Sequence, residues 1–269
     1  MNDKLSIIIL SENKNDLHKI SSNIHNTCLN KNRISVNLSI NPDEILNKSE
    51  DEFIIVVDRN IEFIIKGWDE KIIEILSSSK KSIFTFPYCD EIKNKVYYPG
   101  GLKLFSNKEL IHPYLLSECQ NGNEIEIPCV INGIYAFNRS WYNHIMGAKG
   151  IIGPSGIEVF LSIKSYLTGG NCKLIKNIKF GYNFYESKNQ IKIQNKDIYY
   201  NKLFLCNTIL PIELSSILLN LLPNNKEKED AINLFKQNSK EIFRNRIMYE
   251  DILKMPFADY VKKFKLGQK

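Results

Sequence analysis

An aspartate and an asparagine stand two residues apart, directly after a strongly apolar segment of the chain. Residues 53–57 read FIIVV, and Asp58-Arg59-Asn60 follow. This apolar run, mostly β-branched, predicts a strand covered on both faces, as in the middle of a parallel sheet. Ligands of open α/β sheets bind at the carboxyl ends of such strands. The oxygens of Asp58 and Asn60 are therefore candidate ligands for a hard divalent cation that holds a diphosphate.

The segments before this strand alternate between strand and helix patterns. Residues 6–10 form an apolar run, and residues 16–29 carry apolar side chains at helical spacing. Residues 34–40 alternate between apolar and polar, which predicts a second strand with one exposed face. This alternation is typical of a doubly wound nucleotide-binding sheet. We therefore expect the candidate ligands to lie where the strands of such a sheet end.

The rest of the chain predicts further sheet segments and then a change to helices. Residues 88–126, rich in Gly, Pro and Tyr, are expected to form turns and loops. Strands are expected over residues 82–86, 129–137 and 174–178. Helices are expected over residues 68–78, 155–167, 209–222, 226–235 and 240–253. These patterns predict an α/β domain over residues 1–205 and a C-terminal helical extension over residues 206–269.

The composition is that of an ordinary folded protein with a mild positive charge. The chain has 269 residues, 43% of them hydrophobic, and a net charge of +6. This charge permits an anionic partner but does not require one. The six cysteines include no Cys-x-x-Cys pair, so we expect free thiols in a reducing cytoplasm. No apolar run reaches the ~18 residues that a membrane-spanning helix needs.

Several segments, in order along the chain, resemble those of one enzyme family. They are residues 57–68, the segment NGIYAFNRSWY at residues 132–142, GPSGIE at residues 153–158 and GYNF at residues 181–184. Together they resemble polypeptide N-acetylgalactosaminyltransferases and related GT-A glycosyltransferases, over roughly residues 5–205. The resemblance implies an α/β fold: a GT-A type, Rossmann-like mixed sheet with flanking helices, followed here by the helical extension.

The resemblance also implies roles for particular residues. Asp58 and Asn60 would bind Mn²⁺ or Mg²⁺ between the phosphates of the donor, and Arg59 would help to neutralise the leaving diphosphate. The remaining candidates for binding the nucleotide sugar are Ser11, Glu12 and Asn13 after the first strand, Asn132 and Gly133 at the sugar pocket, and Tyr182.

The sequence departs from the family pattern in its acidic residues. Ser155 replaces the first glutamate of the family segment, Gly156 stands where inverting enzymes keep an aspartate base, and Tyr182 replaces a metal-binding histidine. Glu158 remains, so Glu158 and Ser155 are the candidate catalytic residues. Because a base is missing, retention is favoured: the leaving diphosphate itself can then help to deprotonate the acceptor.

The function expected from these residues is transfer of a sugar from a nucleotide-diphosphate sugar, with a UDP-sugar favoured, to a hydroxyl acceptor. That acceptor could be a glycan, a protein or a modified DNA base. Three alternatives stay open: a phage-type enzyme that glycosylates DNA bases, a metal-independent enzyme, and an inactive nucleotide- or sugar-binding protein on the same fold. The histidines, His18, His25, His112 and His144, show no metal-binding spacing and are expected on the surface or in the core.

Overall fold

A computed structural model of the chain describes residues 4–48, 50–90, 92–106, 109–116, 121–131, 133–184 and 194–267. The strands are β1 (Leu5–Leu10), β2 (Ile34–Ser39), β3 (Phe53–Asp58), β4 (Ile61–Glu62), β5 (Ser82–Thr85), β6 (Tyr88–Asp90), β7 (Lys95–Ser106), β8 (Glu109–Leu116), β9 (Glu124–Ile127), β10 (Ile134–Asn138), β11 (Asn171–Ile175) and β12 (Phe180–Tyr182). The helices are α1 (Lys14–Thr27), α2 (Pro42–Leu46), α3 (Trp68–Ser78), α4 (Arg139–His144), α5 (Ile157–Leu167), α6 (Asn195–Thr208), α7 (Glu213–Leu221), α8 (Lys226–Gln237), α9 (Ser239–Glu250) and α10 (Phe257–Lys263).

The larger sheet is mixed and has the predicted apolar strand in its interior. Within the described residues its seven strands lie in the order β2-β1-β3-β10-β5-β11-β9. Strand β1 is parallel to both β2 and β3, whereas β10 runs antiparallel between β3 and β5. The mixed α/β sheet expected from the sequence is thereby confirmed. Because β3 has a neighbour on each side and helices on both faces, its apolar residues are fully buried.

A second sheet occupies the region that the sequence predicted as turns and loops. Its order is β4-β12-β6-β7-β8 in the part of the chain that is described. The Gly- and Pro-containing segment at residues 97–101 lies inside the long strand β7, where the pairing with β8 shifts between Pro99 and Gly101. The prediction of a turn was wrong there because Gly and Pro also mark bulges within strands.

Two hydrophobic clusters fill the two faces of the larger sheet. Ile55 and Val57 face one cluster, with helices α1 and α3, while Ile54 and Val56 face the other, with α5 and the C-terminal helices. This division follows from the alternation of side chains along a strand. Trp68, at the first turn of α3, is fully buried, and its Nε1 donates to Thr27 Oγ1 at 3.1 Å.

The C-terminal helices share a core with the sheet. Leu218, Ile242 and Tyr260 belong to the same buried cluster as Phe160 of α5. The predicted boundary between residues 205 and 206 falls inside α6, which packs against α7, α8 and α9. Pro211, which cannot continue a helix, separates α6 from α7. No helix in the described ranges is both long and apolar enough to cross a bilayer.

Candidate active site

A cavity of about 750 Å³ opens at the carboxyl end of β3. The residues after β3, the start of α5, strand β8 and helix α6 all contribute to its walls. Because these elements are far apart in sequence, only the folded chain brings their side chains together. The cavity contains seven of the candidate catalytic, binding and metal residues predicted from the sequence: Asp58, Arg59, Asn60, Gly133, Ser155, Glu158 and Tyr182.

Asp58 is the last residue of β3, and its carboxylate faces the cavity without an ion pair. Its backbone N–H donates to the Gly133 carbonyl at 2.7 Å, and its Oδ1 accepts the Asn60 N–H at 2.8 Å. No lysine or arginine among the described residues forms a salt bridge with it. Burial raises the pKa of Asp58 above its ordinary value, against the hydrogen bonds from Asn60. A cation bound there would therefore stabilise the ionised carboxylate.

Asn60 and Tyr182 complete the immediate surroundings of Asp58. Both side chains lie near enough to the Asp58 carboxylate to oppose the rise in its pKa. The backbone carbonyl of Asn60 accepts the backbone N–H of Asn183 at 2.9 Å, and this hydrogen bond connects the loop after β3 to the end of β12. Burial and the neighbouring charge of Asp58 raise the pKa of Tyr182 to about 12, so its hydroxyl stays neutral.

These oxygen donors bear on the expected metal. Within the described ranges, no three His, Cys, Asp or Glu side chains come together to hold a metal ion. Asp58 and Asn60 nevertheless offer hard oxygen ligands, and cations such as Mg²⁺ at phosphate sites often use one or two carboxylates plus water and phosphate oxygens. The donor set fits a cation that shares its coordination with a diphosphate.

Arg59 lies beside Asp58 with part of its guanidinium free. Its Nη1 is 3.8 Å from Asp16 Oδ2, while its buried Nη2 has no hydrogen-bond partner in the described structure. An unpaired, buried N–H of a cationic group is costly unless an anion meets it. Arg59 is therefore well suited to a phosphate oxygen in the cavity.

Ser11, Glu12 and Asn13 do not line the cavity. Ser11 Oγ donates to Asp16 Oδ2 at 2.5 Å and accepts the Asn13 N–H at 3.0 Å. The Asn13 side chain caps helix α1 by accepting from Asn15 N at 3.0 Å. Glu12 is exposed. The side chains of Ser11 and Asn13 thus stabilise the start of helix α1. Among the described residues, Ser11 is connected to the cavity through Asp16, which lies near Arg59.

Glu158 lies in the first turn of α5 and is buried, with 6% of its surface exposed. Burial, with a smaller contribution from the charge of Asp58, raises its pKa to about 7. The carboxyl group can therefore donate or accept a hydrogen bond near neutral pH. Ser155 stands just before it, and its carbonyl accepts from Asn201 Nδ2 at 2.8 Å.

The cavity contains polar residues that the sequence did not single out. The hydroxyl of Tyr135, on β10, is buried and has no hydrogen-bond partner in the described part of the chain. Glu109, His112 and Lys202 form a polar group on another wall. His112, which was expected on the surface or in the core, lies on the cavity wall with 41% of its side chain exposed. A Glu-x-x-His spacing in a segment assigned to loops offered only a weak signal.

Gly133 brings the backbone close to the ring of Tyr88. Its φ is +134°, and a Cβ there would lie 2.9 Å from Tyr88 Cε1. The neighbouring candidate Asn132 lies outside the described residues.

Gly133→Ala is expected to lower the free energy of unfolding by about 1–3 kcal/mol, because alanine would be strained at this φ and would push on the ring. Urea unfolding measures the change. Gly156→Ala is the matched control, since Gly156 has φ +80° but open space around its Cβ position. Equal losses in the two variants would contradict the proposed contact with Tyr88.

Comparison with known proteins shows the fold. The chain is similar to the crystal structure of GalNAc-T7 with UDP, GalNAc and Mn²⁺, with a TM-score of 0.61 and 11% sequence identity, over 97% of this chain and 56% of that chain. It also matches A197 from STIV, with a TM-score of 0.41 and 10% identity, over 67% of this chain and 86% of that one. No protein-family model and no curated protein matches the sequence. The chain spans little more than half of the GalNAc-T7 chain. The structural similarity to that chain confirms the predicted GT-A type glycosyltransferase fold.

Proposed function

We propose that the protein is a glycosyltransferase that takes a sugar from a nucleotide-diphosphate sugar, with a UDP-sugar favoured, and transfers it to a hydroxyl acceptor. The observation that carries the proposal is Asp58: a carboxylate that forms no ion pair with any described residue, at the carboxyl end of an interior strand and inside a cavity of about 750 Å³. This volume falls in the usual range for small-molecule sites. The shared fold with a structure that holds UDP and GalNAc supports the proposal.

Asp58 and Asn60 would hold Mn²⁺ or Mg²⁺, with Mn²⁺ favoured because the GalNAc-T7 structure contains it. The ion would neutralise charge that builds on the leaving diphosphate. Arg59 would contribute a second positive group through its unpaired Nη2. The hydroxyl of Tyr182, which lines the same cavity, would donate to the Asp58 carboxylate and hold it in position.

Glu158 and Tyr135 would contact the sugar. Both are buried groups on the cavity wall, and the unpartnered hydroxyl of Tyr135 would gain the hydrogen bond it lacks. Glu158 would hydrogen-bond a sugar hydroxyl, with Ser155 at the approach to it. Because Gly156 leaves no carboxylate for an inverting attack, we propose retention, in which the leaving diphosphate accepts the acceptor proton.

The rival proposal is a protein that binds the nucleotide sugar without turnover. Tyr182 favours it, since a neutral phenol stands where the family has a metal-binding histidine. The two proposals agree on binding and differ only in the release of free sugar.

Thermal unfolding with a panel of UDP-, GDP- and TDP-sugars, with Mn²⁺, Mg²⁺ or EDTA, tests the proposal. A ligand at 100 times its Kd adds about 2.7 kcal/mol, which would raise the Tm by about 5 °C. We expect such a shift for a UDP-sugar with metal and a smaller one with EDTA. Slow hydrolysis of the same donor identifies an enzyme. Binding without hydrolysis would favour the rival, and no shift with any donor would contradict both.

A further inference from the structure

An acidic, a basic and a histidine side chain meet on the cavity wall formed by β8 and α6. Glu109 and His112 come from β8, and Lys202 comes from α6. All three line the cavity that also contains Asp58 and Glu158. None of them has a role in binding the donor as proposed above, so they are free to bind something else in the same cavity.

The contacts within this wall leave one ring nitrogen available. His112 Nδ1 is 2.6 Å from Glu109 Oε2, and Lys202 Nζ is 3.1 Å from Glu109 Oε1. When Nδ1 donates to Glu109, the neutral ring keeps Nε2 as an acceptor. That Nε2 has no partner among the described residues. With 41% of its side chain exposed, His112 is accessible to a ligand.

The charges of the wall balance and do not favour phosphate. The hydrogen bonds from the ring of His112 and the ammonium of Lys202 hold the pKa of Glu109 below its ordinary value, against partial burial, so the carboxylate is ionised. Lys103, across from His112 on β7, has its Nζ over the ring of Tyr114 at 4.9 Å. Helix α7, which packs on β8, begins with the acidic residue Glu213. Binding to DNA needs unpaired basic groups, and an ionised carboxylate repels phosphates.

Apolar surface adjoins these polar groups. Ile111, Pro113 and Leu115 of β8 line the same cavity. The ring of Tyr114 lies against the backbone of Gly101, where a Cβ would come within 2.6 Å of ring atoms. A wall with a few fixed hydrogen-bonding groups beside apolar side chains matches a ligand that has hydroxyls along its edge and C–H groups on its faces.

We propose that Glu109, His112 and Lys202 form the acceptor-binding subsite, and that the acceptor is a carbohydrate. This inference rests on the proposed function, because it assigns the second substrate of the same cavity. His112 Nε2 accepts a hydrogen bond from one acceptor hydroxyl. The remaining N–H groups of Lys202 and lone pairs of Glu109 bind its neighbours. The apolar side chains of β8 pack against the sugar ring.

The test compares Glu109→Gln, His112→Ala and Lys202→Met with the wild type. Controls are Glu124→Gln and Lys173→Met, which alter an ion pair of 2.6 Å between β9 and β11, outside the cavity. The donor is the UDP-sugar that raises the wild-type Tm most. The acceptors are a panel of methyl glycosides and short oligosaccharides, a serine- and threonine-containing peptide, and a DNA duplex with 5-hydroxymethylcytosine. Released UDP is measured.

We expect transfer to a sugar on the panel. Each wall variant should raise the KM for that acceptor about tenfold, as expected for one lost hydrogen bond of about 1.4 kcal/mol, with the KM for the donor unchanged. The Tm shift produced by UDP should also be unchanged in these variants, and the control variants should match the wild type. This separation of acceptor and donor KM excludes a merely structural effect.

Other outcomes overturn the inference in distinguishable ways. Wild-type protein that neither binds nor hydrolyses any of the UDP-, GDP- and TDP-sugars overturns the proposed function and this inference with it. Hydrolysis of the donor together with transfer only to the peptide or only to DNA overturns the carbohydrate acceptor alone. An acceptor KM that stays at the wild-type value in all three wall variants overturns the subsite alone.

Discussion

Asp58→Asn is expected to reduce donor hydrolysis and sugar transfer by at least about 10²–10³-fold while the Tm stays the same or rises. Asparagine keeps an oxygen that can accept the Asn60 N–H, now 2.8 Å from Oδ1, so the turn after β3 should persist. The variant loses the negative charge that would hold the cation against the diphosphate. The variant should therefore lose activity without losing stability.

The stability half of this prediction follows from the direction of the pKa shift. Burial raises the pKa of Asp58 in the folded state above its ordinary value of 3.8. The free energy of unfolding therefore falls as the pH rises from the pKa of Asp58 in the unfolded state to its pKa in the folded state. Above the folded-state pKa the full loss of stability is present. The amide has no such cost at pH 7.

Thermal unfolding in EDTA and donor hydrolysis with Mn²⁺ measure the two effects. Asp230→Asn, at an exposed position of α8, is the control and should change neither. If Asp58→Asn lowered the Tm by several degrees, Asp58 would be a structural residue. If hydrolysis persisted at the wild-type rate, the metal site proposed here would be wrong.

Glu158→Gln is expected to raise stability at alkaline pH and to reduce transfer at least about tenfold. In the folded protein the pKa of Glu158 is about 7, against an ordinary value of 4.5. Below pH 4.5 the carboxyl is protonated in both states and resembles the amide. As the pH rises towards 7, only the unfolded state loses its proton, so the wild type loses stability.

The difference should reach about 3 kcal/mol, or roughly 6 °C in Tm, above pH 8. Thermal unfolding of both proteins at pH 5 and at pH 8.5 measures it, with Glu229→Gln on α8 as the control for an exposed glutamate. A Tm difference that is the same at both pH values would mean that Glu158 is hydrated in the folded protein. The buried position that supports its contact with the sugar would then be in question.

Where the sequence predicted an element that lines the cavity, the signal was local. The apolar run at residues 53–57 reports a strand with covered faces, and Asp58 follows it directly, so the carboxyl end of an interior strand could be recognised. Helix α5 was predicted close to its observed start, and Glu158 falls in its first turn. Periodicity and end signals depend only on near neighbours in the chain.

The failures share a different cause. The bulge in β7 uses the same residue types as a turn, and only pairing with β8 shows which one forms. Helix α6 (Asn195–Thr208) was missed, since the first C-terminal helix was expected only from residue 209. Other helices bury most of the faces of α6, so its apolar residues follow no single stripe. The Asn13 side chain caps helix α1 and that of Ser11 donates to Asp16 in its first turn, and the expected contact of both residues with the nucleotide stays a prediction.

The sequence by itself determined most strands of the larger sheet and the placement of a carboxylate at the end of an interior strand, since both depend on patterns a few residues long. Only the tertiary structure decided which polar groups share the cavity with that carboxylate. Glu109, His112 and Lys202 reach it from a hairpin and a helix more than fifty residues further along the chain. Their proximity results from packing of distant apolar faces, and no local pattern encodes that packing.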